Sequence, residues 1–169
     1  MGKTQKLTFI SFFIALQVVL TRFLAVETPI LRISFGFLPL AMVGIMFGPL
    51  WGGAAGAIAD ILGMLIFPKG AFFPGFTLST ALSGAIYGLV VYKRPKNIVN
   101  MAIATAIVVI FVNLGLNSLW ISMTTGKALY ALIGPRVIKN AIELPVRVVT
   151  IYVAWKTIGG YYLSQIRTN

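Results

Sequence analysis

The sequence predicts an all-α integral membrane protein, a six-transmembrane-helix bundle in which residues 1–169 form a single domain with both termini cytoplasmic. Three observations carry this expectation. The 169 residues are 59% hydrophobic and only 10% charged, with a mean hydropathy of +0.95. A soluble domain has about 25% charged residues, and so little charge cannot cover the surface of a globule this small. Six apolar runs, each near the ~20 residues that a bilayer demands, use most of the chain and leave short loops. The cations between the runs then favour one orientation.

The elements follow in order. A short basic start, MGKTQK, precedes an apolar run over about 7–25 without a small-residue cleavage site, which predicts a retained first helix. The segment VETPILR, with Pro29, is a turn. A second span covers about 33–47 and stops at Gly48-Pro49; a third, rich in small residues, covers about 50–67. PKGAFFPG, bounded by Pro68 and Pro74, reverses the chain into a fourth span over about 76–92. KRPKN, from Lys93 to Asn97, is the clearest hydrophilic break. A long fifth span covers about 98–124, TGKALYALIGP is a third reversal, and a sixth span covers about 136–155, with non-helical chain expected by Gly159-Gly160. Pro39 and Pro145 fall inside spans, which membrane helices tolerate when neighbours satisfy the freed carbonyl. With the N-terminus inside, Lys3, Lys6, Lys93, Arg94, Lys96, Lys156 and Arg167 are cytoplasmic.

Composition also narrows function. With no Cys and no His, the chain lacks disulfides, thiolate or imidazole metal ligands, cysteine nucleophiles and histidine bases. The carboxylates Glu27, Asp60 and Glu143 are too few for the acidic clusters of metal-dependent phosphotransfer. An intramembrane enzyme is therefore disfavoured, and no cofactor is expected. The net charge of +11 calls for anionic company. Nucleic acid is not expected, because no basic arm or reader domain is present; anionic lipid headgroups and an anionic ligand remain. Arg32, Lys69 and Lys127 fall in outer loops, and Arg22, Arg136 and Lys139 lie near outer helix ends. Either they snorkel to headgroups, or they form a vestibule that attracts an anion from outside.

Two helices repeat the message. In the sixth, Arg136, Lys139, Asn140, Glu143 and Arg147 share an arc of roughly 100°. In the fifth, Asn113, Asn117, Trp120 and Thr124 recur at i, i+4, i+7 and i+11. Polar groups inside a span must face protein or trapped water, so these stripes are either interhelical glue or the walls of a ligand cavity. Asparagine suits the edge of a heterocycle, and Trp120 offers a face for stacking, as Phe72 and Phe73 do. Glu143 either pairs with Arg147, four residues on, or binds N–H donors of a ligand; with Asp60 it is also a candidate for proton coupling. The glycines of the third span allow close helix approach, and Ser11 with Ala15 forms a small-x-x-x-small pair in the first.

The segments RISFGFLPL, GPLWGGAAGAIADILG, PKGAFFPGFTLSTALSGAIYG, and NSLW followed by RVIKN span most of the chain from Arg32 to Asn140. In them the sequence resembles the substrate-binding S components of energy-coupling factor (ECF) vitamin transporters, the folate-specific members in particular. The resemblance implies a six-helix bundle in a bacterial cytoplasmic membrane that binds its vitamin near the outer face. It implies association with a transmembrane coupling protein and two ATPases, which alone hydrolyse ATP. The family's A-x-x-x-A coupling contact corresponds to Ser11 and Ala15, where serine departs from the pattern. Folate, with an aromatic pterin and a dicarboxylate tail, matches a cavity lined by Arg22, Lys69, Phe72, Phe73, Asn113, Asn117, Trp120, Arg136, Lys139, Asn140 and Glu143. Two alternatives stand beside this: an S component for another aromatic vitamin, and a self-sufficient proton-coupled carrier working through Glu143 or Asp60.

Overall fold

The computed structural model describes residues 2–27, 32–68 and 72–167. Among them the chain forms six helices: α1 (Lys3–Arg22), α2 (Phe37–Phe47), α3 (Pro49–Ile66), α4 (Pro74–Val91), α5 (Ile98–Thr125) and α6 (Leu129–Arg167). Between α1 and α2, β1 (Val26–Glu27) pairs antiparallel with β2 (Arg32–Ile33), Val26 opposite Ile33 and Glu27 opposite Arg32. Helices α1, α3, α4 and α5 are each long and apolar enough to cross a membrane.

Proline sets several helix starts. Pro49 and Pro74 open α3 and α4, where the missing N–H has no intrahelical partner to lose. The second helix is shorter than its apolar run: Ile33 is taken up in the β pair and the helix starts only at Phe37. Pro39 consequently sits in the first turn of α2 rather than in mid-span. At 11 residues α2 extends about 16 Å, short of the ~30 Å hydrocarbon core. Pro39 through Phe47 are all buried, so this helix is the centre of the bundle. Gly48 joins it to α3 at φ +96°, a conformation that disfavours any side chain.

The sixth helix corrects two expectations. It begins at Leu129, inside the expected reversal, and is still helical beyond Gly159-Gly160. Pro135 and Pro145 lie within it, and its 39 residues span about 58 Å. In a helix interior one proline costs about 3 kcal/mol and one glycine about 1 kcal/mol, which the remaining bonds and packing of a 39-residue helix outweigh.

Helices α3 and α4 touch backbone to backbone. A Cβ added to Gly84 would fall on the Gly52 carbonyl oxygen, and one on Gly56 would lie 2.6 Å from the Thr80 carbonyl oxygen. The small residues of the third span are thus a packing seam. Gly84→Ala is expected to lower stability by about 1–3 kcal/mol, as overpacking does, which a thermal melt in detergent would read. An unchanged melting temperature would show that the seam can open freely.

Candidate ligand-binding site

Helix α5 changes pitch where its polar stripe begins. Ile98–Ile107 is α-helical, Val108–Leu116 is a π-helix, and Asn117–Thr125 is α-helical again. Wide turns of this kind are rare and concentrate at functional sites. Asn113 lies in the wide stretch and Asn117 directly after it; Asn117 Nδ2 donates to Asn113 Oδ1 at 3.3 Å. From α6, Arg136 Nη2 donates to the Asn113 carbonyl oxygen at 2.6 Å, and Asn140 Nδ2 donates to the Arg136 carbonyl oxygen at 2.8 Å. The two polar stripes therefore meet.

One turn further along α5, Trp120 Nε1 donates to Ser79 Oγ of α4 at 3.0 Å. The Phe73 ring lies 5.5 Å from the Trp120 ring, and Phe76 follows at 5.9 Å from Phe73. Gly75 makes room for this: a Cβ there would stand 2.7 Å from Trp120 Cδ2. On α5 and α6, buried polar atoms are left over. Asn113 Nδ2, Asn117 Oδ1, Asn140 Oδ1 and Ser118 Oγ have no hydrogen-bond partner among the described residues. A buried donor or acceptor left unmade costs about 1–3 kcal/mol.

Farther along α6, Glu143 stands between two cations. Lys139 Nζ lies 3.0 Å from Glu143 Oε1, and Arg147 Nη2 lies 2.7 Å from Glu143 Oε2. Arg147 also rests over the Phe37 ring at 4.9 Å, tying α6 to α2. Of the two readings of Glu143, the geometry shows the ion pair, and shows it doubled.

Arg22 lies in a separate cluster, on the α3 side of α4. Its Nη2 is 3.8 Å from Asp60 Oδ1 and its Nη1 is 3.4 Å from the Phe67 carbonyl oxygen, while Thr77 Oγ1 donates to Asp60 Oδ2 at 2.7 Å. Its guanidinium covers Gly63, where a Cβ would be 2.6 Å from Arg22 Nε. Phe72 is exposed and lines an apolar groove of about 290 Å³ with Ile61, Met64, Leu65 and Pro68. Lys69 lies outside the described residues. Thr124, the last residue of the α5 stripe, bonds back to the Trp120 carbonyl and is exposed.

Sequence reasoning missed Ser79, Thr77 and Ser118. Hydroxyl residues in membrane helices often bond their own preceding turn, as Thr80 and Ser83 do here, so nothing local separates those that reach a neighbouring helix.

Helices that span a membrane around a buried polar site with an aromatic wall define a membrane binding component for a small polar molecule. The chain belongs to the ECF transporter substrate-specific component family, whose pattern matches residues 5–154. It is a transporter subunit rather than an enzyme. It is 46% identical over 158 residues to the folate transporter FolT of Clostridium novyi (strain NT), covering 94% of this chain and 92% of that protein. It is 37% identical over 151 residues to FolT of Leuconostoc mesenteroides subsp. mesenteroides, covering 86% and 81%. The fold matches the crystal structure of FolT bound with folic acid at a TM-score of 0.83, with 42% identity and 89% and 91% of the two chains covered.

Proposed function

We propose that this chain is the folate-binding subunit of an ECF-type importer, capturing the vitamin from outside the cell for uptake powered by partner subunits. The observation that carries this is the set of unpartnered buried atoms on Asn113, Asn117, Ser118 and Asn140, on α5 and α6, with the Phe73–Trp120 pair on α5 and its neighbour. Together they offer one donor group, two amide acceptors, a hydroxyl and aromatic faces, complementary to a pterin. The likeness to FolT, one structure of which holds folic acid, supports the same assignment. Mass spectrometry of ligand released from purified protein should detect folate, and calorimetry should show it rebinding. Protein that neither releases nor binds a folate would overturn the assignment.

Charge suggests where the tail lies. Along α6 stand three cations, Arg136, Lys139 and Arg147, and one carboxylate, Glu143, which pairs with Lys139 and Arg147. Across α4, Arg22 faces Asp60, so the excess positive field is on α6, and the dicarboxylate tail belongs beside Arg136 and Lys139. Arg136→Gln is expected to weaken folate binding by about 1.5–3 kcal/mol, the worth of a hydrogen bond to a charged group. Pteroate, which lacks the tail, should lose much less. Because Arg136 also holds the Asn113 carbonyl, the double-mutant cycle across protein and ligand is needed to separate tail binding from distortion of the π turn. Equal losses for both ligands would leave Arg136 a purely structural role.

The distribution of basic segments supports termini in the cytoplasm of a bacterial cell and a site toward the outside. A transmembrane coupling protein and two ATPases would complete the importer. Ser11 and Ala15 are both exposed on α1, in line with exposed Leu7 and Val19, as a helix-docking face requires. Ala15→Trp should abolish folate uptake in cells while purified protein keeps its folate affinity. Parallel loss of binding would place this face in the bundle's own packing. A self-sufficient proton-coupled carrier is less well supported, since Glu143 and Asp60 are both engaged by cations; reconstituted alone, the chain should bind folate without transporting it.

A further inference from the structure

At the end of the bundle opposite the β pair, lysines are repeatedly held over aromatic rings. Lys6 Nζ lies 4.3 Å from the Trp51 ring centroid and 5.7 Å from that of Phe47, linking α1 to the α2–α3 junction. Lys93 is 5.7 Å from Tyr92, and Lys96 reaches across to Trp155 of α6 at 5.8 Å. Lys156 is 4.9 Å from Tyr152. Lys3 and Arg94 are exposed at the same end. The chain's three acidic residues are in other elements: Glu27 in β1, Asp60 in α3 beside Arg22, and Glu143 in α6 between Lys139 and Arg147.

We propose that this end is a collar that binds anionic phospholipid headgroups. Trp and Tyr rings settle at the boundary between hydrocarbon and water. An ammonium held against such a ring stands at the depth of the lipid phosphates. The neighbouring surface fits acyl chains: Leu50 is 86% exposed beside Trp51, Leu89 is 64% exposed one turn before Lys93, and Val99 is 57% exposed just after Lys96. An acidic soluble protein would match the charge and leave these apolar side chains uncovered. A phospholipid matches both.

The test is native mass spectrometry of the delipidated full-length protein, titrated with equimolar phosphatidylglycerol and phosphatidylcholine of the same chain length. Phosphatidylglycerol should be retained preferentially. Each cation near an anionic surface favours it about fivefold. Lys6→Gln, Lys93→Gln and Lys96→Gln combined should therefore cut the preference by at least about tenfold. The matching Lys→Arg triple variant, and Lys127→Gln in the loop at the other end, should keep it. If the glutamine variant fails to fold, the wild type decides: its preference should collapse in ~1 M salt, where charges are screened beyond about 3 Å. Equal retention of the two lipids by the wild type would overturn the proposal and favour an acidic protein partner. An unchanged preference in a folded glutamine variant would overturn it too. None of these readouts depends on folate.

Discussion

Trp120→Ala is expected to weaken folate binding by about 3 kcal/mol, more than a hundredfold in affinity. The indole is one face of the proposed pterin slot, with Phe73 5.5 Å away and Gly75 beneath it. Its removal deletes the stacking area, and aromatic contacts are worth about 0.5–1.5 kcal/mol beyond that area. It also frees Ser79 Oγ, which accepts from Trp120 Nε1, so some loss of thermal stability should accompany the loss of affinity. Trp120→Phe separates the two terms, since it keeps a ring and loses the hydrogen bond. Gly75→Ala should mimic part of the effect, because its methyl would push the indole out of place. Calorimetric titration with folate reads all three variants. Full affinity in both Trp120→Ala and Gly75→Ala would remove the slot from the binding site.

The second large effect is on stability. Glu143→Ala leaves Lys139 and Arg147, whose side chains are only 15% and 11% exposed, without the carboxylate between them. Breaking a buried pair from one side costs about 3–5 kcal/mol, because the remaining charge is uncompensated. The melting temperature without ligand should fall accordingly. Folate should then raise it by more in the variant than in the wild type, since the tail proposed to lie along α6 would bring negative charge there. A stable variant whose only defect is the pH dependence of transport would instead revive the proton-coupled reading of Glu143.

Much of this protein is legible from local pattern. Low charge and six apolar runs define the bundle, and prolines at 49 and 74 mark helix starts to within a residue or two. The spacing of Asn113 and Asn117 on α5, and of Arg136 and Asn140 on α6, reveals two polar faces that do meet. The two ends of α6 were not legible, because Gly134, Pro135 and Gly159 are local stop signals of about 1–3 kcal/mol each, and the packing of a long helix overrides them. The length of α2 was not either, since the β pair that takes Ile33 out of the expected span is a contact between two segments.

By itself, then, the sequence determined that the chain lives in a bilayer as helices, which faces of those helices are polar, and which family the chain resembles. Only the tertiary structure decided that Trp120 is held by Ser79, that Arg136 reaches the carbonyl of a π turn, that Glu143 is shared by two cations, and that Arg22 turns to Asp60 instead of joining the α6 cluster. The physical reason is one of range. Burial and periodicity act on neighbours along one helix and leave a repeating trace in the residues. Which side chain meets which across a helix pair depends on the rotation and axial offset of both, and these are set by backbone contacts such as that of Gly52 with Gly84, far from the groups they align.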